Sequence, residues 1–278
     1  MNVPGADEAL VASRRALLDA LEALEPHREA LVLIGAQAIY LWTGGAPVAL
    51  AETTDDSDLA VDRRLLPDDP LLEEAMTGAG FHRDLRDPQP GSWLSPEGVP
   101  VDLMLPDSMA GEGGRRGARI PPHSKHAVRR AIGLEAAVVD DRPMPIRSLD
   151  AEDEREYEVR VATPAALLVA KLHKLGERQD TPDRLLDKDA HDLYRLLVAI
   201  PTPELAKGLA RLEADPLAAE VTADALELLR ELFADGTDAP GSLMAGRAEE
   251  GVGDPDVVAA SVAALAGDLV TAMRGGQD

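Results

Sequence analysis

Residues 31–62 of the chain read LVLIGAQAIYLWTGGAPVALAETTDDSDLAVD: an apolar run stopping at glycine, a short amphipathic segment, a break, and a second apolar run entered through two aspartates. Leu31 to Ile34 has the length and composition of a buried strand, and Ala38, Ile39, Leu41 and Trp42 fall on one side of a short helix. Gly35-Ala36 is a small-residue turn between the two, and Gly44, Gly45 and Pro47 end the helix. Strand side chains alternate, so Asp56 and Asp58 at the edge of the next strand face the same side and form a cradle for a cation. Backbone N–H groups left open at the helix start suit a phosphate, and the carboxylates suit the magnesium ions that accompany a nucleoside triphosphate. With 51 acidic residues in 278, an acid-x-acid triplet arises by chance about nine times. The order of the surrounding elements therefore says more than the pair itself.

Further features come later in the chain. Asp7 caps an amphipathic helix over 7–25 that carries Leu10, Leu17, Leu18, Leu21 and Leu24, and Pro67 to Gly80 holds another helix. Short strands are expected at 81–85, 92–94, 99–105, 136–139 and 144–146, with an edge strand at 157–161 and a domain boundary near 162. Asp102 lies inside the apolar run 99–105, where a charge is costly to bury unless it is paired or binds a cation. An edge aspartate facing water is the alternative. Residues 113–130 carry Arg115, Arg116, Arg119, Lys125, Arg129 and Arg130 with His123 and His126, and no acid. Such a stretch focuses polyanions, with phosphate contact favoured over metal for the histidines, or else balances neighbouring acids on a solvated surface.

Thr163-Pro164 begins a helix that presents Lys171, Lys174 and Arg178, with Lys171 and Arg178 two turns apart on one face. Thr181-Pro182 begins the next, where Lys188 and Asp192 stand at i and i+4. His173 and His191 read as surface or packing residues. Helices follow from Thr202, over 217–232 and over 257–273, with a loop at 236–253.

Gly35-Ala36, then Thr54-Asp55-Asp56-Ser57-Asp58-Leu59, then Lys171-x6-Arg178 and Lys188-Asp189-x2-Asp192, resemble in that order the nucleotidyltransferase superfamily, and within it the AbiEii-type nucleotidyltransferase toxins. Ala36 supplies no hydroxyl where Gly-Ser members use one, and Glu52 stands where this branch often has arginine. The resemblance implies an α/β (α+β) fold, with a mixed sheet and flanking helices over 1–162 as the catalytic domain and an α-helical domain over 163–278. It implies that Asp56, Asp58 and a third carboxylate on a later strand, Asp102 by position, hold two Mg²⁺ ions and are catalytic. Gly35, Ala36, Thr54, Lys171 and Arg178 would bind the nucleotide, while Lys188, Asp189 and Asp192 position the site. The implied reaction moves a nucleoside monophosphate from a triphosphate to an acceptor hydroxyl, on RNA or tRNA for a toxin held by a cognate antitoxin.

Composition narrows the classes. At 45% hydrophobic and 3% aromatic residues, the chain can build a core of Leu, Val, Ile and Ala. The absence of cysteine excludes disulfides, thiolate metal sites and cysteine nucleophiles. The N-terminal residues lack a basic region followed by an apolar one, and no run of eighteen apolar residues occurs, so a cytoplasmic protein without a membrane partner is expected. A net charge of −23 repels nucleic acid at long range and attracts cationic small molecules. Two rivals therefore stand beside the toxin-like enzyme. One is a small-molecule nucleotidyltransferase of the antibiotic-modifying kind; the other is a catalytically silent fold that serves as a binding module.

Overall fold

A computed structural model describes residues 4–46, 48, 56–84, 89–112, 116–179 and 186–275. In chain order the first half runs α1 (Pro4–Ala23), β1 (Leu31–Ile34), α2 (Gly35–Thr43), β2 (Ser57–Val61), α3 (Leu72–Gly78), β3 (His82–Arg83), β4 (Ser92–Leu94), β5 (Pro100–Pro106), β6 (Arg129–Ala131), α4 (Glu135–Val139), β7 (Asp141–Arg147) and β8 (Glu156–Ala162). The second half is helical: α5 (Pro164–Arg178), α6 (Asp187–Ala199), α7 (Thr202–Glu213), α8 (Ala219–Leu229), α9 (Pro240–Arg247) and α10 (Pro255–Gly275). A mixed sheet with flanking helices, followed by C-terminal helices, is the α/β architecture expected from the order of elements. The chain divides into two compact units, one from Met1–Gln37, Thr53–Leu134 and Asp141–Ala162, the other from Ala38–Glu52, Glu135–Asp140 and Thr163–Asp278.

Among the described residues the first unit holds an eight-stranded sheet in the order β3-β4-β5-β2-β1-β8-β7, with β6 also beside β5. All four residues of β1 are buried, as a strand needs when it is paired on both sides and covered. β1 runs antiparallel to β2 and parallel to β8, and β2 runs parallel to β5. β4 accompanies the first half of β5, with Ser92 opposite Asp102, and β6 accompanies the second half, with Met104 opposite Arg129. Helix α1 packs on β2 and β5 and buries Leu17, Leu18 and Leu21 completely.

Three sequence expectations change. The strand over 157–161 is β8, which lies inside the sheet between β1 and β7. β7 takes the edge, where Pro143 and Pro145 can sit without a backbone donor. Residues 136–139 form α4 instead of a strand, because a short buried apolar run looks the same in either state. The expected loop at 236–253 contains α9, whose Gly241 allows close contact with the Phe233 ring and so serves packing, not chain breaking.

In the helical unit α5 packs against α6, α7 and α8, and α10 packs against α7 and α9. Thr163 caps α5, accepting a hydrogen bond from the Ala166 N–H, and its hydroxyl donates to Asp140 Oδ2 at 2.7 Å. By length and composition α10 could cross a membrane, but Val258, Val262, Ala266 and Leu269 are buried within the unit. Gly208 of α7 sits against α5, where a Cβ would come 2.6 Å from the Ala165 methyl. Gly208→Ala is therefore expected to cost about 1–3 kcal/mol through overpacking, measured as a lowered urea midpoint at unchanged slope.

Candidate active site

The parallel pairing of β2 with β5 puts Asp58 directly opposite Asp102, while its antiparallel pairing with β1 puts Asp58 opposite Ile34. Neighbouring strands lie about 4.8 Å apart, so the two carboxylates stand side by side on one face. Asp56, half-buried, immediately precedes the strand. Gly35 opens α2 with φ 69°, and a Cβ there would collide with the Asp58 carboxylate. Only glycine combines that backbone with that contact. Ala36, the next helical residue, is half-buried. Thr54 lies outside the described residues, as do Glu52, Arg115 and the expected helix start at Thr181.

Behind the aspartates lies a polar network that pattern reading of the sequence passes over. Ser57, 1% exposed, lies between Asp56 and Asp58 and accepts from Gln37 Nε2 at 2.6 Å while donating to the Ser13 carbonyl at 3.0 Å. Gln37 Oε1 in turn accepts from Arg14 Nε at 2.7 Å, and Arg14 Nη1 reaches the Arg147 carbonyl at 2.9 Å. Burial pushes the Arg14 guanidinium below its ordinary value. Buried groups satisfied in this way hold one geometry, so α1 and the start of α2 lock the strand that carries the aspartates. The one signal in the sequence was a glutamine in an otherwise apolar helix.

On the other side, Asp102 Oδ2 accepts from Arg129 Nη2 at 2.7 Å. Arg129 belongs to the basic stretch, and the rest of that stretch is more structured than a loop. Residues 116–118 pair back onto 128–130 through the Arg130 N–H to the Arg116 carbonyl and the Ala118 N–H to the Val128 carbonyl. Arg130 binds Asp107 at 2.6 Å. His123 is a packing residue: Nδ1 accepts from the Leu72 N–H at 3.2 Å, leaving Nε2 to donate to the Pro67 carbonyl at 3.0 Å. Arg116, Arg119 and Lys125 are exposed.

The remaining motif residues gather within the helical unit. Asp189, fully buried on α6, accepts from Lys171 and Lys174 at 2.9 Å through Oδ1 and from Arg178 at 2.9 Å through Oδ2. Lys171 also meets Asp192 at 2.7 Å, so the Asp192 carboxylate turns to α5, a contact that the i, i+4 spacing to Lys188 does not suggest. Burial alone would raise the Asp189 carboxyl, but Lys171 and Lys174 reverse this and hold it well below its ordinary value. Burial alone would lower the Lys171 amine, but Asp189 and Asp192 hold it well above its ordinary value. Lys188 is half-buried at the start of α6. His191, fully buried, meets Glu249 at 2.9 Å, and His173 meets the Val221 carbonyl at 2.7 Å, so both histidines pack.

Among the described residues, no group of three or more His, Asp or Glu side chains is arranged to hold a metal ion. Asp58 and Asp102, hard oxygen donors on adjacent strands beside the glycine cradle, fit one magnesium ion, which is commonly held by one or two carboxylates plus phosphate oxygens and water.

Two outcomes follow from this geometry. Gly35→Ala should lose about 1–2 kcal/mol from its left-handed backbone alone, whereas Ala36→Gly, one residue on, should change stability by less than about 1 kcal/mol in the same urea titration. Asp189→Asn removes the carboxylate that Lys171, Lys174 and Arg178 share, and should cost about 3–5 kcal/mol. Since the Asp189 carboxyl lies below its ordinary value, its contribution is complete above about pH 4 and lost as pH falls further. Thermal melts from pH 7 to pH 2 should show that loss in the wild type and a shallower one in Asp189→Asn.

No protein-family model matches the chain, and no curated protein matches it at a significant level. The chain is similar to a crystal structure of a proposed nucleotidyltransferase from H. pylori, over 97% of this chain and 98% of the other, at 10% identity and a TM-score of 0.31. A similarity of that size carries no statement about activity, and the functional reading rests on the residues themselves.

Proposed function

We propose that the protein is a magnesium-dependent nucleotidyltransferase that moves a nucleoside monophosphate from a nucleoside triphosphate to an acceptor hydroxyl. One observation carries this reading: Asp58 and Asp102 share a register on adjacent parallel strands, with Gly35 opening a helix against the Asp58 carboxylate. Asp58 and Asp102 would hold magnesium, which when bound neutralises triphosphate charge and polarises the reacting phosphate. Backbone N–H groups at Gly35 and Ala36, with Thr54, would hold the phosphates. The Asp102 oxygen that does not face Arg129 would accept the proton of the acceptor hydroxyl. The acceptor oxygen then bonds to the α-phosphorus, the bond from that phosphorus to the bridging oxygen of the β-phosphate breaks, and pyrophosphate leaves.

The helical motif takes a revised part. Lys171 has its amine committed to Asp189 and Asp192, which supports positioning of α5 on α6 in place of phosphate contact. Arg178, whose Nη1 also meets Asp189, takes the same part, and Lys188 keeps a positioning role at the start of α6.

For the acceptor, exposed Arg116, Arg119 and Lys125 favour RNA, with the toxin role and antitoxin partner that the motif resemblance implies. A second reading, transfer to a small cationic acceptor, is favoured by the net charge of −23 and by the pairing of Arg129 and Arg130 with acids.

Calorimetric titration of each nucleoside triphosphate with Mg²⁺ tests the core of the proposal. Wild-type protein is expected to bind at least one, and Asp56→Ala/Asp58→Ala to bind none while keeping its circular dichroism spectrum. Asp58→Asn should lower transfer by about 10²–10³-fold or more. Labelled nucleotide appearing in total RNA or in small amines then separates the two acceptors. A folded wild-type protein that binds no triphosphate would leave the silent binding module as the function.

A further inference from the structure

We propose that Arg129 takes the place of one of the two divalent cations expected at this centre, so that the protein binds its nucleoside triphosphate with a single Mg²⁺. The inference rests on the nucleotidyl-transfer reading above and concerns how that site is charged. Asp102 is the carboxylate a second ion would need, and its Oδ2 already receives Arg129 Nη2 at 2.7 Å. A guanidinium stays protonated in proteins, so this positive charge is permanent. A carboxylate oxygen bonded to it is a poor ligand for a dication, and the fixed charge repels one placed alongside.

The pair is built in. Arg129 is 25% exposed and Asp102 16%, so neither is a surface side chain free to swing away. The parallel register of β5 and β6 places Arg129 opposite Met104, whose sulfur lies 3.1 Å from Nη2. Gln89 Oε1 approaches Nη1 at 3.5 Å. Gly91, with φ 76°, lies so close that a Cβ there would collide with the Arg129 backbone nitrogen and the Leu103 carbonyl. Its N–H donates to the His126 carbonyl and its carbonyl accepts from the Leu103 N–H, so it clips the basic segment to β5. Asp58 and Asp102, side by side in register, fit one magnesium ion with phosphate oxygens and water completing its shell. The outer N–H groups of the guanidinium are of the kind that pair with phosphate.

The experiment counts Mn²⁺, as a probe for Mg²⁺, in the complex of the full chain with an α,β-methylene nucleoside triphosphate, by electron paramagnetic resonance and calorimetry. One Mn²⁺ per chain is expected for the wild type. Arg129→Lys, which keeps the charge, should also hold one, with nucleotide affinity about tenfold weaker. Arg129→Gln should admit a second. Two ions in the wild type, or one in both wild type and Arg129→Gln, would overturn the inference while leaving nucleotidyl transfer intact. Failure of the wild type to form any nucleotide complex would overturn both. Should Arg129→Gln not fold, Arg129→Ala takes its place in the count, a second ion supporting the inference and a single ion overturning it.

Discussion

Pairing of β2 with β5 in a single parallel register is the constraint on which the candidate site depends. Side chains alternate along a strand, so a slip of one residue would turn Asp58 away from Asp102 and bring Ser57 to the same face. Two features guard against that slip. Leu59 and Val61 are fully buried and would be driven toward the opposite face, and Ser57 is held from behind by Gln37 and the Ser13 carbonyl. The acidic face is thus kept in place by apolar burial and by a satisfied buried network. Its own carboxylates would repel one another without cations.

Charge is distributed by the same logic elsewhere in this acidic chain. A net charge of −23 leaves few cations, and several of them are spent on buried or half-buried acids: Arg129 on Asp102, Arg130 on Asp107, and Lys171, Lys174 and Arg178 on Asp189. Buried ion pairs contribute modestly to net stability but penalise loss of either partner heavily. Asp189 therefore acts as a pin between α5 and α6, specifying how two amphipathic helices meet where apolar contact alone would tolerate sliding. That role explains why lysine and aspartate recur at those spacings without requiring that each touch a ligand.

Local pattern was enough for some elements. The buried strand 31–34, the glycine that ends it, the apolar run 99–105 and the helices opened by Thr163 and Thr202 have periodicity and breakers that leave little choice of state. The short runs were ambiguous. Residues 136–139 have the composition of a strand and are helical, and the glycines of 240–247 look like breakers but are contact surfaces for Phe233 and Pro255.

The sequence by itself determined which residues bear chemistry: a glycine before a helix, aspartates opening a strand, an aspartate inside an apolar run, and lysines and aspartates at helical spacing. These follow from backbone sterics and from the cost of burying charge, which act over a few residues. Only the tertiary structure decided who meets whom. Strand register set Asp58 beside Asp102, and β6, 27 residues beyond Asp102, supplied Arg129 to it. Likewise the docking of α6 on α5 gave Lys171 to Asp189 and Asp192. Those partnerships are contacts across elements, chosen by how apolar faces pack and by which buried charges find compensation, and no local pattern encodes them.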